Sequence, residues 1–283
     1  MRGLPPFYPD TRERATAASS PKTIANHLIE LNVVFKVAQR WRLTDANPMR
    51  LVDRPRVEAP EMNVLSEGDI AALLTAYREL ELDADPEEAV RWRLARRIVT
   101  VALGTTCRRG ELLGLAWRDV ALFDAKLTVR QALVRGQLDT PKSRAARRTM
   151  EVGPRVLGAL EEQWAESRYR SDESLVFCHP TLGSPLHASK FTRRYLRPAL
   201  KKAGITKPFR PWHDLRHTAI THEAAAGNPA VCVQMRAGHS QGSITERYIH
   251  AAQVLFPGAA AKGEERIFGK ERLSEANASR ERS

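Results

Sequence analysis

The chain has 283 residues, 42% hydrophobic and 28% charged, a make-up that supports one large folded domain plus a smaller segment. Lys and Arg exceed Asp and Glu by enough to leave a formal charge of +12, which favours a polyanionic partner, either nucleic acid or an anionic membrane surface. No signal peptide and no apolar run near the roughly 18 residues of a membrane span are visible, and Cys107, Cys178 and Cys232 are too scattered for a disulfide framework or a CxxC zinc site, so a soluble, cytoplasmic, nucleic-acid-directed protein is expected.

Residues 1–20 are rich in Pro, Thr, Ser and Arg without periodicity and are expected to be irregular. Ser20-Pro21 then opens a helix over 21–41, with Ile24, Leu28, Leu31, Phe35 and Ala38 along one apolar face. Asn47-Pro48, Pro55 and Pro60 mark a linker. Ser66 caps a second helix that runs to about Leu80. Asp85-Pro86 starts a third, with Leu94, Ile98 and Val101 on one side and Gly104 as its expected end. A short helix follows Thr105. Alternation at Leu127 and Val129, a turn at Gly136, and renewed alternation at Met150 and Val152 predict a small antiparallel sheet over 118–152. Helices are expected near 154–168, 187–203 and 212–227, then two short ones up to about 250. The charged, Ala/Gly/Ser-rich segment beyond Pro257 is at best one frayed helix, and no internal repeat is visible.

Several polar residues have types and spacings suited to phosphate chemistry. His213 and Arg216 are three apart on a helix and share a face, where a guanidinium fork and an imidazole can grip one phosphate. Tyr248 lies nine residues after His239. A phenol is a poor nucleophile at its ordinary pKa of about 10, but among cations and aimed at phosphorus it can form a covalent phosphotyrosine. Arg108 stands at the start of a short helix, where anions are already favoured. Lys142 falls in the hairpin region and can reach a phosphate or a base edge. Taken singly, each of these also fits an ordinary surface or half-buried side chain.

In the fixed order Arg–Lys–His-x-x-Arg–His–Tyr the signals reinforce one another. The stretches GTTCRRGELLGL (104–115), TPKSRAARR (140–148), HDLRHT (213–218) and GHSQGSITERYIH (238–250) resemble the tyrosine recombinases of the phage-integrase family, and the likeness extends over about residues 20–255. The resemblance implies a mainly α fold with a small antiparallel β-sheet, the DNA breaking-rejoining catalytic domain, over 62–255. It also implies site-specific cleavage and rejoining of DNA through a 3′-phosphotyrosyl link. By the same resemblance Arg108 and Arg216 clamp the scissile phosphate, Lys142 protonates the leaving 5′ oxygen, His213 accepts the tyrosine proton, His239 donates to the phosphate, Tyr248 is the nucleophile and Glu111 orients the site.

No cofactor is implied: arginines supply the charge a metal supplies elsewhere, and one phosphodiester is exchanged for another without ATP. The partners implied are double-stranded DNA and further copies of the chain, as dimers pairing into a tetramer, with room for accessory DNA-bending proteins. Arg130, Arg147, Arg148, Arg193, Arg194, Lys201 and Lys202 are candidate non-specific DNA contacts. The helical core-binding domain that usually precedes the catalytic domain is expected here only as a remnant over 1–57. The tail, 256–283, resembles a segment that docks on a neighbouring subunit. The alternatives are a truncated relic that only binds DNA or other subunits, and a nicking-closing topoisomerase of the same chemistry.

Overall fold

The structure, a computed structural model, describes residues 19–57, 62–139, 147–239 and 241–255, with side chains as far as 252. Contacts divide the chain into two compact units, Met1–Glu61 and Met62–Ser283. In the first, helix α1 (Pro21–Arg40) begins where the Ser20 hydroxyl accepts from the Thr23 amide at 3.2 Å, with Pro21 in the first turn. It buries no residue, and Ile24, Ile29, Leu31, Val33 and Val34 on it are all more than two-fifths exposed. Asn47 caps a short 3₁₀ turn (Pro48–Arg50) and donates to Asn32 at 3.0 Å, which ties that turn back to α1.

In the second unit, α2 (Glu67–Leu82) starts with a reciprocal capping box between Ser66 and Asp69. α3 (Pro86–Thr105) starts with the Asp85 carboxylate accepting from the amides of Glu87 and Glu88. α3 is the central element. Trp92, Ala95, Ile98, Val99 and Val101 are buried on it, and it packs against α2 and two later helices. The expected terminator, Gly104, is still helical. A Cβ there would meet Val156 Cγ2 at 2.2 Å, so the glycine serves close helix packing, and the left-handed Thr106 (φ 53°) ends α3.

The chain continues through α4 (Arg109–Leu113), β1 (Val120–Ala121), β2 (Lys126–Val129), β3 (Ala132–Val134), β4 (Gln137–Asp139) and β5 (Arg148–Glu151). The strands form two ladders where one sheet is expected: an antiparallel β1-β2-β5 sheet, with Leu127 opposite Met150, and a separate β3-β4 hairpin. The hairpin leaves the sheet because it has another surface to pack on. Gly114 on α4's exit lets the backbone of β3 approach so closely that a Cβ would stand 2.8 Å from the Leu133 nitrogen, and Gln131 donates to the Gly114 carbonyl at 2.8 Å.

α5 (Pro154–Glu166) follows, then α6 (Ala188–Phe191), a π-helical turn over Thr192–Leu196 and α7 (Arg197–Lys202). This interruption of the helix expected over 187–203 coincides with Pro198, which has no N–H to donate into the preceding turn. α8 (Pro211–Ala225), α9 (Ala230–Ala237) and α10 (Gly242–Leu255) complete the unit. The main core spans α2, α3, β2, β5, α5 and the Phe191–Leu200 stretch, and ends at Leu215. A smaller cluster of Ile220, Val233, Ala237 and Tyr248 binds α8, α9 and α10 together. That small cluster holds the candidate site. The molecule is mainly α with small antiparallel sheets. Among the described residues no helix is long and apolar enough to cross a membrane.

Candidate active site

The site is built around the C-terminal end of α9. The last carbonyls of a helix lack intrahelical partners and carry the negative end of its dipole, so they attract cations. Here three successive carbonyls each accept from a different arginine. Arg148 Nε donates to the Arg236 oxygen at 2.6 Å, Arg216 Nη2 to the Ala237 oxygen at 2.7 Å, and Arg108 Nη2 to the Gly238 oxygen at 2.9 Å. Gly238 takes φ 63°, which turns the chain out of the helix at that point.

Glu111, buried on α4, joins two of these arginines. Its carboxylate accepts both Arg148 terminal nitrogens, at 3.2 and 2.8 Å, and also Arg108 Nη1 at 2.9 Å and the Arg108 amide at 2.8 Å. Burial alone raises a carboxyl pKa, but the hydrogen bonds and charge of Arg148, with Arg108 behind them, outweigh it and hold Glu111 below its ordinary value. Arg216 donates its other terminal nitrogen to the Thr106 carbonyl, and Thr106 donates its hydroxyl to the Arg236 oxygen at 3.0 Å. Burial, then the nearby charges of Arg108 and Arg148, pull Arg216 down to about 10, still charged at neutral pH.

Tyr248 projects from α10 and is 6% exposed. Two imidazoles pack on its ring: His239 at 5.6 Å between centroids with planes 21° apart, and His217 at 5.3 Å and 32°. Burial raises the phenol pKa, and the charges of Arg216, Arg247, Arg108 and Arg210 act in the opposite sense. His239 is buried with Nδ1 3.0 Å from the Thr245 hydroxyl. Burial and the three site arginines pull its pKa to about 4, so its ring is neutral at pH 7. A Thr245 hydroxyl donating to Nδ1 leaves the proton on Nε2, which is then a donor. His213 is largely exposed on α8, with its ring 4.1 Å edge-on from His217; partial desolvation, then the charge of Arg210, lowers its pKa.

The fold thus gathers Arg108, Glu111, Arg216, His239 and Tyr248, with His213 beside them. Lys142 lies outside the described residues, as does the tail from 256. Two participants were not singled out from the sequence as part of the site. His217 lies four residues after His213 on one helix face, a spacing that could have flagged it. Arg148, expected as a surface DNA contact, is 7% exposed at its side chain and lies inside the site. It shares a strand face with the buried Met150, and that period-two signal was masked by its place in an Arg147-Arg148 run. Of the other candidate DNA contacts, Arg147, Arg193 and Lys201 are exposed. Arg130 is 3.0 Å from Asp119, Arg194 is 3.1 Å from Glu88, and Lys202 is 3.3 Å from Glu79. Among the described residues no group of three or more His, Cys, Asp or Glu is arranged to hold a metal ion.

Residues 63–254 match the model of the phage integrase family, and the chain belongs to that family. It is 30% identical over 236 residues to the tyrosine recombinase XerD of Pseudomonas putida, covering 82% of this chain and 72% of that protein. It is 29% identical over 245 residues to a putative prophage phiRv2 integrase of Mycobacterium tuberculosis, covering 84% of this chain but only 60% of that relative's length. The fold is similar to that of a Tn1549 transposon integrase solved in complex with a circular intermediate DNA, with a TM-score of 0.66 at 21% identity over 84% of this chain and 80% of that one.

Proposed function

We propose that this chain is a site-specific DNA recombinase that cuts and rejoins double-stranded DNA through a covalent 3′-phosphotyrosyl intermediate. The observation that carries the reading is a buried phenol packed on two imidazoles, beside arginines fixed by the end of α9. Membership of the phage integrase family and the likeness to DNA-bound recombinases support it.

In this reading the Tyr248 oxygen attacks a backbone phosphorus while His213 takes the phenolic proton. Arg108 and Arg216 neutralise the charge that builds on the non-bridging oxygens, and neutral His239 donates to one of them. The bond to the 5′ oxygen breaks, and Lys142 supplies the proton to that leaving oxygen. Attack on the phosphotyrosine by a 5′ hydroxyl of another strand restores a phosphodiester and the free phenol, so no external energy source enters. Glu111 and Arg148 hold Arg108 in place. The carbonyl dipoles of α9 orient the three guanidiniums and Glu111 pairs with two of them, so the arginines keep a net positive charge for the phosphate. Residues 62–255 form the catalytic domain, Arg147, Arg193 and Lys201 are exposed cations available to flanking DNA, and the working assembly is an oligomer of this chain on DNA in the cytoplasm.

A nicked suicide substrate tests the assignment. The wild-type chain is expected to form a covalent protein–DNA adduct and Tyr248→Phe to form none. An adduct that persists in Tyr248→Phe removes Tyr248 as the nucleophile.

A further inference from the structure

His217 has no task in the chemistry just described, yet its ring touches that of the nucleophile. It stands on α8, one residue after Arg216 and four after His213, and is 8% exposed. Its ring lies 5.3 Å from that of Tyr248 and 4.1 Å from that of His213. Its Nδ1 is fully buried and has no hydrogen-bond partner among the described residues. An imidazole nitrogen buried without a partner costs desolvation and returns no bond, so hydrogen bonding through Nδ1 does not account for the residue. What the ring does present is its body against the phenol, tilted 32° from the phenol plane, at a separation typical of favourable aromatic pairs. Burial, with His213 and the nearby arginines, keeps that ring uncharged at neutral pH.

In-line attack on phosphorus depends on where one oxygen points, and a displacement of about 1 Å can cost on the order of a hundredfold in rate. Tyr248 lies on α10 and packs in the small cluster with Ile220, Val233 and Ala237. Within the site two imidazoles, His239 and His217, lie against the phenol ring. We propose that His217 is a positioning residue for the nucleophile: its aromatic ring packs against the Tyr248 ring and sets the direction of the phenolic oxygen.

The inference rests on Tyr248 being the nucleophile, and two independent measurements on the full chain keep the two ideas separable. The first is the rate constant for adduct formation on a nicked suicide substrate at saturating DNA, with DNA affinity measured alongside. His217→Ala is expected to slow adduct formation by about tenfold or more with DNA affinity unchanged, and His217→Phe, which restores an aromatic ring, to recover most of the rate. The second is the ¹³Cζ tyrosine resonance of Tyr248 in the DNA-free chain, identified by its loss in Tyr248→Phe. His217→Ala is expected to shift it and to lower the phenol pKa towards the ordinary value, while His217→Phe leaves both near wild type. If His217→Ala no longer melts cooperatively, His217→Leu, which fills the space without an aromatic ring, takes its place. The proposal is overturned if His217→Phe is as slow as His217→Ala, which would assign the role to a ring nitrogen, or if His217→Ala matches wild type. If the wild type makes no adduct, the nucleophile assignment fails on its own. The resonance still decides the packing: a shift in His217→Ala supports it, and no shift refutes it.

Discussion

Two arginine-rich regions of this molecule use the same side chain to opposite ends. Along α3 and α5, arginines are matched with carboxylates: Arg93 with Glu166 at 2.7 Å and Glu81 at 3.3 Å, Arg97 with Glu162 and Glu166, and Arg91 with Glu87 and Glu88. At the end of α9, Arg108 and Arg148 share Glu111, while three guanidiniums rest on backbone carbonyls. A carboxylate cancels a charge, whereas a carbonyl dipole orients it and leaves most of it available. The first region cross-links helices. The second keeps an excess of positive charge beside a phenol. Counting arginines could not separate the two, because the difference lies in the acceptors.

Breaking the shared carboxylate is expected to have the largest effect, since it removes an anion that holds two cations in the site. Glu111→Gln takes from the buried Arg148 the charge of the carboxylate that accepts both its terminal nitrogens, at a cost of several kcal/mol, about 3 or more. Thermal melting is expected to fall and adduct formation to fall with it. Next, Arg216→Lys keeps the charge but loses the planar fork that reaches both the Thr106 and Ala237 carbonyls. Adduct formation is expected to drop by about 10²–10³-fold while the melting temperature changes far less, as read by single-turnover cleavage beside calorimetry.

The other side of the comparison is sharpened by Arg97→Ala. It is expected to cost about 1–3 kcal/mol through the bonds lost to Glu162, Gln163 and Glu166, and to leave the cleavage rate per folded molecule unchanged. A fall in that rate would mean the two arginine regions are coupled. The smallest effect is a pH dependence. His217 and His239 have folded pKa values of about 4, against an ordinary 6.5. The unfolded chain therefore binds more protons between those values, so this contribution to stability is complete above about pH 6.5 and is lost as pH falls towards 4. Glu111, held below its ordinary 4.5, contributes stability above that value and loses it further down. Melting temperatures between pH 7.5 and 4.5 are expected to decline less in His217→Phe than in wild type.

Helices α1, α2 and α3 could be placed from sequence because their starts are local events: Ser20, Ser66 and Asp85 cap with their own side chains, next to a proline or an acidic first turn. The motif residues were legible for a related reason, since His213 and Arg216 sit one helical turn apart whatever the rest of the chain does. The split of the expected sheet was not legible. It depends on Gly110 and Gly114 admitting the β3 backbone, a contact between segments about twenty residues apart. The role of Gly104 was misread for the same reason: what it accommodates is Val156, on another helix.

By itself the sequence determined which residue types are present, in what order, and where most helices begin, because capping, periodicity and charge act over a few residues. Only the tertiary structure decided that Arg148 is buried, that His217 lies against the Tyr248 ring, and that the end of α9 holds three guanidiniums. Those outcomes depend on which distant acceptor or ring reaches each side chain, and no local pattern encodes a partner that stands 21, 88 or 130 residues away.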